Sequence, residues 1–241
     1  MTPHLNIDST INDFVQEDVR RTALLEQLGV DACCGGHKTL AQACGEKGLD
    51  PESVLQKILA GSKEDEALSA VTEGMDGSLT EAVDHLLKTH HTFLKEALPR
   101  LAALTEKVVV AHLSRHPELK TLQELFADLQ ADLEPHLMKE EQVLFPIIKV
   151  LETSGGNAEF HCGSVQNPIR VMQMEHEQAL TLFDKIRETT RDYAVPEDGC
   201  ESYRLLMAGL KELEADTRLH IRKENEILFP QVLALEELGA V

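Results

Sequence analysis

Apolar residues recur at helical spacing in four long stretches of the chain. These stretches begin near Ser78, Glu118, Pro168 and Glu201, and they end near His112, Glu152, Tyr193 and Leu238. Within each, Leu, Ile, Val or Ala returns every three or four positions, which is the pattern of a helix with one buried face. Four helices of this length, joined by turns, predict an up-down four-helix bundle. The second helix is expected to be interrupted or bent at Pro135.

Residues 1–62 predict a separate and smaller helical domain. Its helices are expected from about Thr10 to Leu28, from near Thr39, and from Asp50-Pro51, where Asp suits a cap and Pro the first turn. Residues 63–77 are rich in glycine and acidic residues and predict a linker. The bundle then occupies residues 78–241, with a glycine-rich loop at 153–167 between its second and third helices. The predicted fold class is all-α.

Composition supports a helical protein and narrows its partners. Only 4% of the 241 residues are aromatic, whereas Leu, Ala and Glu, which favour helices, are abundant. The formal net charge of −19 argues against nucleic acid as a partner, because phosphate recognition needs clustered Lys and Arg. No apolar run approaches the roughly 20 residues that cross a bilayer, and the amino terminus has no signal-peptide pattern. Together with an odd count of five cysteines, these features predict a cytoplasmic protein without membrane contact.

One sequence pattern occurs twice, 84 residues apart. Residues 136–146 are HLMKEEQVLFP, and residues 220–230 are HIRKENEILFP. His136 and Glu140 are four positions apart, as are His220 and Glu224, so each pair projects from one helix face. A single exposed pair of this kind contributes only a few tenths of a kcal/mol and means little. Two repeated pairs on apolar faces indicate a metal site, because a buried carboxylate is costly unless it is paired or binds a cation.

The repeat extends to the other two bundle helices. His91 and His176 lie 85 residues apart on the first and third helices, each among apolar neighbours, although His90 competes with His91 for this position. Four imidazoles and two carboxylates exceed the four ligands of tetrahedral zinc. Without a thiolate they suit iron or manganese. The pattern predicts two iron ions bridged by both carboxylates and by an oxo or hydroxo group.

Vicinal cysteines form a second candidate site. Cys33 and Cys34 precede Gly35-Gly36 in a predicted loop, where glycine would allow unusual backbone angles and leave the thiols accessible. The helix that starts near Thr39 would point its amino terminus at this loop and favour thiolates. The alternative is a pair of packed small hydrophobic residues. Cys44, Cys162 and Cys200 are isolated and are interpreted as structural.

These features together resemble the iron-sulfur cluster repair di-iron proteins, the repair of iron centres family. The segment DACCGGHKTL at 31–40 is similar to the CCGG-containing domain of that family, and the bundle is similar to its hemerythrin-like domain. The resemblance covers nearly the whole chain. It selects His91 over His90, and the implied metal ligands are His91, His136, Glu140, His176, His220 and Glu224.

The resemblance implies repair of iron-sulfur clusters damaged by nitric oxide or peroxide. The di-iron site would supply iron or handle nitric oxide, while Cys33 and Cys34 would engage the damaged client protein or exchange thiols. A hemerythrin-like sensor or store of dioxygen or nitric oxide is one alternative, and a nitric oxide reductase is another. Whether the protein is an enzyme therefore stays open. The resemblance also suggests a homodimer.

Overall fold

The amino-terminal part folds into a small helical domain. The computed structural model describes residues 5–19, 21–32, 35–59, 70–161 and 163–239. The short helices of this domain are α1 (Ile11–Glu17), α2 (Arg21–Gln27), α3 (Leu40–Lys47) and α4 (Pro51–Leu59). Thr10 and Thr39 begin α1 and α3 with capping boxes, in which the side chains at each helix start satisfy free backbone amides. The helices pack around Phe14, Leu25 and Leu40, which are all buried.

The described residues from Leu79 to Gly239 form the predicted four-helix bundle, and the all-α fold is confirmed. The first bundle helix comprises α5 (Leu79–Leu86), a π-helical turn (Leu87–His91) and α6 (Thr92–His112). The second comprises α7 (Glu118–Lys139), a π-helical turn (Glu140–Leu144) and α8 (Phe145–Thr153), and the third is α9 (Gln166–Thr190). The fourth comprises α10 (Glu201–Arg222), a π-helical turn (Lys223–Leu228) and α11 (Phe229–Gly239). The first helix packs against the second and the fourth, and the second packs against the third.

Several boundaries differ from the predicted ones. The helix expected from Thr10 to Leu28 is broken at Asp18, whose backbone is extended (φ −155°, ψ 104°). Aspartate competes for backbone hydrogen bonds and favours caps and turns over helix interiors. Helix α7 continues through Pro135 without interruption. Across the described ranges, no helix is both long and apolar enough to span a membrane.

The two domains are in contact. Thr22 of α2 is buried and donates a hydrogen bond of 3.1 Å to Oε2 of Glu226 in the fourth bundle helix. Of the predicted linker, residues 63–69 lie outside the described residues, while residues 70–77 approach the bundle and bury Met75 in its core. The Lys223 ammonium donates a hydrogen bond of 2.9 Å to the carbonyl of Glu73. The segment that enters the bundle is therefore fixed to the fourth helix.

The loop at 153–167 also packs onto the bundle. The backbone amide of Val165 and the hydroxyl of Ser164 both donate hydrogen bonds of 2.7 Å to the carboxylate of Glu236. Phe160 packs against the apolar core that contains Phe145 and Phe229. The loop therefore covers the end of the bundle that is built by α5, α8 and α11.

Candidate metal centre

Six buried polar side chains form one layer of the bundle. They are His91 of the first helix, His136 and Glu140 of the second, His176 of the third, and His220 and Glu224 of the fourth, and none is more than 3% exposed. An apolar core with Leu98 and Phe183 lies on one side of this layer, and a core with Leu86 and Phe145 lies on the other. Charged groups between two apolar cores are costly unless they are paired or bind an ion.

Each carboxylate directs its two oxygens towards different histidines. Oε1 of Glu140 lies 3.3 Å from Nε2 of His136, and Oε2 lies 3.3 Å from Nε2 of His91. Glu224 repeats this arrangement at 3.2 Å with the histidines of the third and fourth helices. Two groups result that share both carboxylates, with candidate ligand atoms within 4.8 Å of one another: His91, Glu140, His220 and Glu224, and His136, Glu140, His176 and Glu224.

A cation resolves a conflict among these atoms. Nε2 of His136 and Nε2 of His176 are only 3.1 Å apart. Nδ1 of each ring faces an acceptor, Glu175 Oε2 at 3.0 Å and Asn225 Oδ1 at 3.2 Å, so each ring carries a proton on Nδ1. The close approach of the two Nε2 atoms then requires a proton or a metal ion at that point. All four oxygens of the shared carboxylates are buried and have no hydrogen bond to any described residue. The residues therefore fit metal ions, and imidazole and carboxylate without thiolate suit iron.

Protons compete with a metal for the same atoms. Burial lowers the pKa of His136, but the negative charge of Glu140, whose Oε1 lies 3.3 Å from Nε2, outweighs it and raises this pKa to about 10. Burial raises the pKa of Glu140, yet His136 outweighs it and the result lies well below the usual range. For His220, burial dominates over the neighbouring carboxylates and lowers the pKa. A metal ion that binds here must therefore displace the proton of His136.

The internal repeat extends to the residues that orient the histidines. Nδ1 of His91 donates to Oε1 of Glu141 at 2.8 Å, just as Nδ1 of His176 faces Asn225. Glu141 and Asn225 occupy the same position in the two repeated segments. Sequence reasoning missed both residues, although the alignment of the segments contains this signal. Such partners fix the ring orientation and the tautomer of a metal-binding histidine.

Both shared carboxylates lie at π-helical turns. In the second helix the amide of Phe145 donates to the carbonyl of Glu140, five residues earlier instead of four, and the fourth helix does the same at Glu224. Pro146 follows this turn and has no amide for a regular α-helical bond. The turn therefore lies where a regular hydrogen-bond pattern is already lost, and such turns are common at functional sites.

His90 lies outside both metal-binding groups. Its Nδ1 donates to Oδ1 of Asp216 at 2.9 Å, and its ring stacks on that of His220 with centroids 5.4 Å apart. His91 is the first-helix histidine that the structure brings into the layer. The expectation that the helix-one ligand is His91 and not His90 agrees with this geometry.

The glycines after the cysteine pair serve close packing. Cys33 and Cys34 lie outside the described residues, so their predicted role stays a prediction. Neither Gly35 nor Gly36 has a positive φ, so the expected need for unusual backbone angles is wrong. A Cβ atom on Gly35 would instead lie 2.5 Å from the carbonyl oxygen of Asp31, which is far inside the contact distance. The backbone here approaches too closely for any side chain.

The loop with these glycines faces helix α9, which carries the candidate ligand His176. Asp31, Gly35 and His37 line a cleft of about 350 Å³ together with Glu177 and Leu180. Glu177 directly follows the candidate ligand His176 in sequence. The described residues on both sides of the cysteine pair therefore lie close to the third bundle helix.

Comparisons with known proteins agree with this architecture. Residues 82–232 match the family model described as the hemerythrin HHE cation binding domain. Residues 7–61 match the ScdA_N model, a domain of unknown function. Proteins named iron-sulfur cluster repair protein YtfE, from Escherichia coli O17:K52:H18 (strain UMN026), Shigella boydii serotype 4 (strain Sb227) and Escherichia coli K12 (strain DH10B), are each 34% identical over 229 residues. The alignments cover 95% of this chain and 98% of each relative, so the similarity includes both domains.

Proposed function

The chain belongs to the hemerythrin HHE family and to the iron-sulfur cluster repair proteins, and from this premise we propose that it repairs damaged iron-sulfur clusters with a di-iron site. The observation that carries the proposal is the pair of buried four-residue groups that share Glu140 and Glu224. The sharing supports two ions over one, because the two oxygens of each carboxylate point at histidines of different groups. Both carboxylates would then bridge the ions.

The residues available to hold the two irons are those of the polar layer. One ion would take His91 and His220, and the other would take His136 and His176. Iron held by imidazole and carboxylate is exchangeable and redox-active, and it can accept a small ligand such as nitric oxide or dioxygen. The site is buried between two apolar cores, and Glu141, Glu175 and Asn225 hold the imidazoles of His91, His136 and His176 in one orientation.

The amino-terminal domain is proposed to engage the damaged client. Thiols of Cys33 and Cys34 would bind the client protein or exchange with its cysteines. The cleft between the described flanks of this pair and α9 supports cooperation between the two domains, because its wall includes the residue after His176. We place this activity in the cytoplasm, where such thiols stay reduced.

Reconstitution of a damaged cluster tests the proposal. A cluster enzyme treated with nitric oxide is incubated with the iron-loaded protein under anaerobic conditions, and recovered enzyme activity is measured. Glu140→Leu and Glu224→Leu should abolish recovery, because each removes a ligand of both groups, whereas exposed Glu188→Leu should recover as much as the native chain. Equal recovery with all three variants would contradict iron supply from this site.

Cysteine variants separate the proposal from gas binding. A sensor or store of dioxygen or nitric oxide needs the bundle but not the cysteine pair. A Cys33→Ser/Cys34→Ser double variant should therefore lose cluster repair while its iron still binds nitric oxide. Full repair by this variant would favour the gas-binding function, and multiple turnovers of nitrous oxide would favour a reductase. The proposed homodimer is tested separately by sedimentation.

A further inference from the structure

A cysteine and a buried histidine meet at the end of the bundle opposite to the loop at 153–167. Nε2 of His112 lies 3.2 Å from Sγ of Cys200, and Cys200 is exposed while His112 is only 4% exposed. Nδ1 of His112 has no hydrogen-bond partner among the described residues, so the cysteine sulfur is the one hydrogen-bonding contact of this ring there. Cys200 is isolated in sequence, but the structure places His112 beside it.

The position of Cys200 suits a reactive thiol. It is the residue before the first turn of the 22-residue helix α10, and no side-chain capping bond occupies its sulfur. The partial positive charge at a helix amino terminus stabilises developing negative charge on sulfur. A cysteine within hydrogen-bond reach of an imidazole is the arrangement by which many proteins activate a nucleophilic thiol.

Neighbouring side chains hold the imidazole in place. The ring of Tyr203 meets that of His112 edge-on, with centroids 5.5 Å apart and planes at 87°. His116 packs on the same ring and is itself fixed by Asp198 Oδ1 at 2.9 Å and Glu118 Oε1 at 3.1 Å. These contacts fix the ring plane, and they leave Nε2 directed at the sulfur.

A cleft beside this pair offers both signs of charge. It has a volume of about 470 Å³, and His116 and Tyr203, which touch the imidazole of His112, form part of its wall. Arg115, Arg191 and Glu197 also line it. Guanidinium and carboxylate groups together suit a small peptide that carries both carboxylate and ammonium groups.

We propose that Cys200 and His112 form a second reactive site, which exchanges with low-molecular-weight peptide disulfides of the glutathione type. The site is independent of the metal centre, because His91 and His112 lie about 30 Å apart along the first bundle helix at 1.5 Å per residue. It gives the chain a reversible modification that responds to the oxidised thiol pool.

The exchange needs no other oxidant. The thiol proton of Cys200 passes to Nε2 of His112 as Sγ attacks one sulfur of the disulfide. A new S–S bond forms, the original S–S bond breaks, and the departing thiolate takes the proton from His112. One disulfide is consumed and one mixed disulfide is made, so electrons and protons balance.

The test follows mixed-disulfide formation at Cys200 in the full chain. The protein is incubated with glutathione disulfide, and the tryptic peptide 192–204, whose single cysteine is Cys200, is quantified by mass spectrometry. A positioned base contributes about 10²–10⁴-fold to proton transfer, so His112→Gln should slow the reaction at least about tenfold. The matched control His161→Gln, an exposed histidine in the loop at the opposite end of the bundle, should change the rate less than about threefold. Equal rates for the native chain and His112→Gln would overturn the proposal.

A second measurement needs no variant of the folded protein. The synthetic peptide 192–204 supplies the same cysteine without His112 or the helix. Cys200 in the native chain should react at least about tenfold faster than this peptide at the same pH. If the peptide reacts as fast as the folded protein, the proposed site does not exist, whatever the variants show.

Discussion

Replacing Glu175 by Gln isolates the contribution of one outer contact to metal binding. Oε2 of Glu175 accepts a hydrogen bond of 3.0 Å from Nδ1 of His136, and Gln keeps the size and one acceptor while removing the charge. Partners of this kind contribute about 10–100-fold to metal affinity, which is about 1.4–2.8 kcal/mol. Glu175 is 24% exposed and also pairs with Lys139, so solvent and the ammonium screen its charge. We therefore expect a loss near the lower limit, about tenfold.

The assay is an anaerobic titration of ferrous iron in competition with a coloured chelator. Glu175→Gln should weaken binding of one of the two proposed ions, the one next to His136 and His176. Glu141→Gln should weaken the other, because Glu141 orients His91. Exposed Glu188→Gln controls for the lost negative charge. Unchanged affinity for both ions in the Glu175 and Glu141 variants would refute the view that these carboxylates hold the ligands.

Three further outcomes follow from burial and packing. Glu224→Leu should remove the rise in melting temperature that iron causes. After a chelator has removed the metal, this variant should melt no lower than the native chain treated in the same way, because a buried charge cluster without its ion is costly. Gly35→Ala should destabilise by about 1–3 kcal/mol in urea unfolding, because its Cβ would strike a backbone carbonyl, whereas Gly45→Ala in the open should be neutral or stabilising. Tyr193→Phe should cost about 1–3 kcal/mol near pH 7, because it removes a buried hydrogen bond to Glu214. Burial and this bond raise the pKa of Tyr193 above its usual 10.0, so the phenol ionises at lower pH in the unfolded state than in the native state. The difference in unfolding free energy between the native chain and the variant should therefore shrink as the pH rises above 10.

Each of these outcomes can fail in a defined way. A chelated Glu224→Leu protein that melts far below the chelated native chain would show that the carboxylate stabilises the fold without metal. Equal unfolding free energies for Gly35→Ala and Gly45→Ala would show that the loop relaxes around a side chain. A constant difference between Tyr193→Phe and the native chain from pH 8 to 11 would mean that the phenol ionises equally in both states.

Periodicity and repetition were enough to predict the bundle and five of the six residues of its polar layer, whereas the choice of His91 over His90 rested on the family resemblance. Helical spacing fixes which face of each helix is buried, and the repeated segment identified the facing pairs His136–Glu140 and His220–Glu224. The orienting residues Glu141 and Asn225 lay in the same alignment but carried no apolar pattern. The π-helical turns were out of reach, because one shifted hydrogen bond leaves the apolar spacing almost unchanged.

Contacts between distant parts of the chain were the other feature that could not be predicted from the sequence. His112 and Cys200 are 88 residues apart, and only the packing of the first and fourth helices brings them together. The burial of Met75 also depends on tertiary contacts, since local composition there resembles an ordinary linker. Residue type therefore predicted the secondary structure and the chemistry available to each segment, whereas the packing of the helices determined which side chains come into contact.

The two lysines at equivalent positions of the repeat have opposite surroundings. Lys139 is exposed and pairs with Glu175, whereas Lys223 is 2% exposed and holds the carbonyl of Glu73. This second lysine ties the chain that arrives from the amino-terminal domain to the residue beside Glu224. Two modules joined in this way meet at an effective concentration in about the millimolar range, without a separate diffusional encounter. A client protein bound to the amino-terminal domain would therefore already be delivered to the metal-binding bundle.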